Sequence, residues 1–399
     1  MNNKPGKSPY GLAWQAGTAT VCRLVLNTAR RFAYPFAPVL SRGLNVPLMA
    51  VTSLIAVNQA TSVLGILFGP LADRLGYRLM MLAGLGTLVL GMFAGGLLPF
   101  FGVVLAALLL AGLGKTIFDP ALQAYVGERV PFKRRGLVVG MLEFSWAGST
   151  LVGIPLLAIL IERLGWRSPF FALGVFGLLG IMALLFVIPA DSRLKPHQNN
   201  AATFWHALAG LGHERASLGM LGYAFFYSAA NDNLFVVFGA WLEQSFGLSV
   251  VGIGMGASLI GAAELFGEGL TASFADRLGL RRSVILGLAL SVLSYCLFPF
   301  IGHNLLLALA GLFVLFLVFE FTIVSSLSLS TELLPGSRAT MMASFYAAAG
   351  VGRMLGALSG GVVWLKGGIP ATGLVSAGIT ALALISLSIG MRSWREPKA

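Results

Sequence analysis

Eleven ionisable residues lie inside stretches that are otherwise apolar: Arg23, Arg30, Arg31, Lys115 and Arg353 against Asp119, Glu143, Asp232, Glu264, Glu268 and Glu320. At a bilayer centre each would cost roughly 2.5–3.5 kcal/mol on insertion scales, so they must pair or line a hydrated cavity. Such residues grip charged substrates or carry protons. In and before LNTARRFAYPF (26–36), Arg23, Asn27, Arg30 or Arg31, and Tyr34 recur every three or four positions, which is one helical face. Adjacent Arg30 and Arg31 point about 100° apart. At most one can aim into a central cavity, and the other should meet a carboxylate on a neighbouring helix.

Lys115 and Asp119 stand four apart, the spacing of an intrahelical ion pair. Glu264 and Glu268 share a helix face, a like-charged pair that forms a candidate proton carrier. Glu320, flanked by aromatics in FLVFEFTIV, is a candidate for coupling or substrate contact. Arg353 lies in GVGRMLGALSGG (350–361), where Gly352, Gly356 and Gly360 recur every four residues and admit a close helix neighbour. Glu264 or Glu320 is the expected partner of Arg353, and Arg30 or Arg31 that of Glu143. GLGKT (112–116) imitates the end of a phosphate-binding loop, but Leu109 stands where the first glycine is required. Histidines and cysteines form no metal-ligand spacing, so no metal or cofactor is expected. No nucleophile elbow or extramembrane catalytic domain supports an integral-membrane enzyme or sensor.

The elements that must position these residues are membrane helices. The chain has 399 residues, 57% hydrophobic and 11% charged, with mean hydropathy +0.86; soluble domains carry about 25% charged residues. Breaks at Gly, Pro and charge clusters leave about twelve apolar segments, from 14–40 to 369–391, each near the ~20 residues a bilayer requires. The net charge of +12 does not mark a nucleic-acid patch, because Lys and Arg sort by loop. They gather at both termini, in alternate loops and in the central stretch, which places those on the cytoplasmic side. The polar stretch near the middle divides the chain into 1–190, a cytoplasmic loop 191–216 and 217–399; TFWHALAGL within that loop suits an interfacial helix.

The two parts repeat. ADRLGYR (72–78) returns as ADRLGLR (275–281), and GERVPFKRR (127–135) matches TELLPGSR (331–338). An offset of 204 sets Asn27 over Asn231, beside Asp232 in SAANDNLF, and levels Glu320 with Thr116 near mid-membrane. Asp232 is therefore the foremost candidate site residue, since such repeats put substrate sites at mid-bilayer between the halves.

GPLADRLGYR (69–78), with its second copy ASFADRLGLRR (272–282), resembles the loop signature of the major facilitator superfamily. The resemblance covers essentially the whole chain and is closest to the twelve-helix drug/proton antiporter-like branch. It implies an all-α membrane protein of twelve transmembrane helices in two pseudo-symmetric six-helix bundles. It also implies a monomeric secondary transporter of the inner membrane, not an enzyme, working by alternating access. The expected function is proton-coupled efflux of an amphiphilic small molecule or drug, with protons and the lipid bilayer as its other partners. By the same resemblance Gly69, Asp73, Arg74, Gly76, Arg78 and Glu128 form a conformational latch, with Asp276, Arg277 and Glu332 as its second-half counterpart. The chain departs from the pattern at Ala272, in span four, and in the shifted spacing of Gly140, Gly148, Gly153 and Pro155. Drug exporters of this branch commonly carry an acid in the first helix, where this chain has arginines. That shifts weight toward an alternative, an organic anion or anionic lipid gripped by Arg30 or Arg31 with Lys115.

Overall fold

The computed structural model describes residues 11–129, 142–189, 214–333, 338–392 and 394. Nine helical runs among them are long and apolar enough to cross a bilayer. The last of these, Arg338–Gly390, holds two spans divided at Gly368, whose φ of 59° is not helical. Two further rods complete a twelve-helix fold. Span one is Leu12–Arg31 continued by Ala37–Leu44, and span seven is Arg215–Phe235 continued by Phe238–Phe246. Both are too polar to qualify on apolar character, and both are largely buried among other helices beyond their first turns.

The other spans run in order. Span two comprises Leu48–Ala60, a tight turn Thr61–Leu64 and Gly65–Leu75; spans three and four are Tyr77–Leu97 and Phe101–Arg129. Span five runs through 142–148, a π-helical turn Ser149–Gly153 and Ile154–Leu164. Span six is Ser168–Val187, and spans eight, nine and ten are Val250–Leu278, Leu280–Ile301 and Leu305–Leu333.

The breaks follow from the residues. Pro35 has no N–H and its ring crowds the carbonyl four residues back, so span one cannot continue through 32–36. Pro155 likewise removes a donor just after the π turn of span five. Span one packs on spans four and six, span three on four and six, and span seven on eleven. The first and second six-helix sets touch chiefly where span two meets eleven and span five meets eight.

The glycine repeat of span eleven faces span seven. A Cβ at Gly352, Gly356 or Gly360 would collide with the carbonyl of Phe225, Ala229 or Asn233 respectively. Gly356→Val should therefore destabilise by about 1–3 kcal/mol or more, because backbone cannot yield as a side chain does. Gly378, with open space around it, supplies the control: Gly378→Ala should leave the thermal unfolding of the purified protein unchanged.

Candidate functional site

Span one brings three arginines to three different environments. Arg23 donates from Nε to Asp119 Oδ1 at 3.2 Å, and from Nη1 to Glu143 Oε1 at 3.0 Å and the Leu142 carbonyl at 2.9 Å. Asp119 also accepts from Lys115 Nζ at 2.5 Å. Two cations and two carboxylates thus close a network among spans one, four and five. The cation that Glu143 meets is that network's Arg23, not Arg30 or Arg31, because span five begins level with the earlier turns of span one.

Arg31 crosses to the other half. Its Nη2 lies 2.6 Å from Glu264 Oε1 and its Nη1 3.2 Å from Oε2, a two-pronged pair with both side chains almost fully enclosed. Thr150 donates to the same carboxylate at 3.3 Å. Arg30, one step earlier, turns instead to span two. It donates twice to Gln59 Oε1, at 3.2 and 2.7 Å, and to Ser62 Oγ. Arg30 is 9% exposed and has no described carboxylate within ion-pair distance. Its Nη1 donates to no described residue. The helical angle between the two arginines divides them as neutral-bound and acid-bound.

Asp232 of span seven is wholly buried. Tyr34, just past the break in span one, donates to its Oδ1. Its Oδ2 has no hydrogen bond, and Arg353 Nη1 stands 3.9 Å away. The partner expected for Arg353 was Glu264 or Glu320. Arg31 has taken Glu264, and Glu320 packs against span eight at Gly267, where an added Cβ would collide with the Glu320 Cβ. No described side chain donates a hydrogen bond to Glu320, which is 5% exposed. Asn27 donates to Ser145 Oγ at 3.1 Å, while Asn27 Oδ1 and its repeat mate Asn231 Oδ1 are buried without partners.

Trp146 is the residue that sequence reasoning missed. Its half-buried indole has the Arg31 guanidinium 4.2 Å from the ring centroid, that of Arg353 at 5.5 Å and Lys115 Nζ at 5.7 Å. Cations gathered on an aromatic face are held by its quadrupole while keeping their donors free. The signal was present in EFSWAG, one turn after Glu143, yet a tryptophan in a span reads equally well as lipid contact. Gln59 and Ser62 were missed too, although NQATS (58–62) is an unusually polar run. Among the aromatics of spans seven and eleven, Tyr227, Trp241 and Phe345 are enclosed in packing, while Phe225, Phe226 and Tyr346 retain some exposure.

The side chains of Asp73, Glu128 and Asp276 lie outside the described residues, as does TFWHALAGL. Gly69 has open space where its Cβ would be, and Gly76 adopts a φ of 106° at the turn between spans two and three. Arg74 and Arg277 are exposed. Arg78 donates to the Leu185 carbonyl of span six at 2.6 Å. Glu332 sits half-buried near the end of span ten.

The family model of the Major Facilitator Superfamily matches residues 19–230 and 220–399. The uncharacterized MFS-type transporters YwfA and YceJ of Bacillus subtilis are similar. YwfA is 27% identical over 79% of this chain and 77% of its own, and YceJ 25% over 74% and 75%. A crystal structure of the peptide transporter POT in complex with sulfate superposes with a TM-score of 0.80 at 15% identity, covering 97% of this chain and 96% of that one. The interrupted polar rods enclosed by apolar ones, the doubled loop motif and this match along nearly the whole length agree: the chain belongs to the Major Facilitator Superfamily, multi-pass membrane transporters of small molecules that are not enzymes.

Proposed function

We propose that the chain moves an amphiphilic organic anion by alternating access, with protons as the coupling ion. The observation that carries this reading is Arg30, a buried cation held only by neutral groups, facing Arg353, which donates no hydrogen bond to any described residue. An arginine enclosed without a carboxylate is costly and is relieved by an acidic ligand, which both forks can grip. Trp146 beside them supplies an apolar face. Glu320, enclosed and without a donor, is the proposed proton carrier. Glu264 suits that task less because Arg31 holds it.

Residues 1–190 and 217–399 form the rocking halves, and 191–216 is a cytoplasmic loop between them. Both termini lie in the cytoplasm in this reading, as the loop charges favour, and the protein works as a monomer in the cell inner membrane. Export in the manner of the drug/proton antiporter-like branch is the proposed direction. Asp73, Arg74, Arg78 and Glu128, with Asp276, Arg277 and Glu332, are proposed as the latch. A second reading, an amphiphilic cation, is favoured by one observation: among the described residues no cation lies within ion-pair distance of Glu268 or Glu320.

Proteoliposome flux separates the two. Arg353→Gln and Arg30→Gln should each lower organic-anion flux by roughly tenfold to a hundredfold, from charge-assisted hydrogen bonds worth about 1.5–3 kcal/mol. Anion flux that survives both substitutions while cation flux fails in Asp232→Asn would overturn the reading.

A further inference from the structure

The halves meet along two antiparallel helix pairs, and the close contacts give the register of each. Between spans five and eight, Gly254 faces Ala158, and Gly261 faces Leu151 and Ala147. Two turns further along, that register sets Glu268 opposite Glu143. Exposure rises in this direction: the Glu264 side chain is 2% exposed and that of Glu143 42%. The two carboxylates carry like charge, and no described cation stands within ion-pair distance of Glu268. Between spans two and eleven, Gly361 faces Thr52 and Gly350 faces Ser62. This register levels Arg353 with Gln59, the residue that holds Arg30. The two arginines likewise carry like charge, with Asp232 the one described carboxylate within ion-pair distance of Arg353.

Like charges thus face each other across the halves at two places, positive at one and negative at the other. Across a cleft poorer in water than bulk solvent, each pair resists closure. A ligand that brings the opposite charge to each place removes both resistances at once. We propose that the substrate is a zwitterionic amphiphile, its acidic group bridging Arg30 and Arg353, its ammonium bridging Glu143 and Glu268, and its apolar middle lying on Trp146. The acidic end rests on the anion reading above; the basic end is new. Arg23, which holds Glu143, precedes Arg30 by two helical turns, so the charge levels differ by about 10 Å along the axis. The ligand is therefore elongated, not an α-amino acid.

Binding of ω-aminooctanoate, octanoate and octylammonium to the purified full-length protein, by calorimetry, tests both ends. The zwitterion should bind at least about tenfold more tightly than either analogue (1.4 kcal/mol per decade). Glu268→Gln should erase that advantage and leave octanoate affinity as it was, whereas Arg353→Gln should weaken both acids. Equal affinity for ω-aminooctanoate and octanoate overturns the zwitterion while leaving the anion reading intact. Octylammonium binding more tightly than both acids, or no measurable binding of any acid, overturns both.

Discussion

Glu264→Ala, with Arg31 left in place, should destabilise the protein by about 3–5 kcal/mol, the cost of stranding one partner of a buried ion pair. Here the stranded charge has little else. Arg31 keeps a 3.4 Å bond to the Trp146 carbonyl and lies over the Trp146 and Phe235 rings, neither of which is an anion. Thr150, which donates to Glu264, loses that acceptor too. Removing both charges at once, in Arg31→Met with Glu264→Met, leaves no orphan and keeps much of the volume. The double variant should therefore recover most of the loss, because a buried pair is often no more stabilising than apolar residues of its size. Thermal unfolding of the wild type, Glu264→Met, Arg31→Met and the double variant yields the coupling energy directly. If the double variant is as unstable as the two singles added together, the pair is not coupled and this account is wrong. The experiment also bears on how span one is tied to the second half, since the pair bridges spans one and eight.

Much of this arrangement is legible in the amino-acid sequence. Apolar run length gives most of the spans, and the repeated ADRLG loop relates the two halves, because bilayer thickness and gene duplication both leave marks in linear sequence. The i,i+4 geometry of Lys115 and Asp119 is local and needs no tertiary knowledge. So is the division of Arg30 from Arg31, which 3.6 residues per turn imposes on any adjacent pair. Partner identity was not local. Arg353 chose Asp232 and Glu143 chose Arg23 because of helix register across the bundle, which no single span encodes. The aromatic Trp146 and the neutral clamp of Gln59 and Ser62 were hidden for a different reason: uncharged residues in a membrane span announce no cost, so nothing marks them as site residues. The breaks fall between these cases, since Pro35 predicts one and nothing as plain predicts that at Val236 and Val237.

Those breaks carry the second large effect. Pro35 and Gly239 are repeat mates at an offset of 204, and they touch: a Cβ on Gly239 would overlap the Pro35 carbonyl. The contact joins the first and second halves at the end away from the chain termini. The Tyr34 ring lies 4.6 Å from that of Phe235 beside it, tilted by 35°, and Arg42 pairs with Glu243 at 2.8 Å further out. Gly239→Val should wedge this end apart, since neither the proline backbone nor the helix start can retreat without moving a whole span. The expected result is a folded protein whose flux falls by on the order of tenfold or more, the factor that about 1.4 kcal/mol against the closed state would produce. Leu40, 1% exposed in the outer part of span one, reports the opening. In a chain with Cys22 and Cys296 replaced by alanine, a Leu40→Cys thiol should resist a membrane-impermeant maleimide and become reactive once Gly239→Val is added. Glu243→Gln should change neither flux nor labelling much, because the Arg42 side chain is 61% exposed and a solvated pair contributes about 0–1 kcal/mol. Closure at this end is then a matter of backbone fit, with the ion pair as rim. Wild-type labelling in Gly239→Val, or full opening in Glu243→Gln, would reverse that assignment.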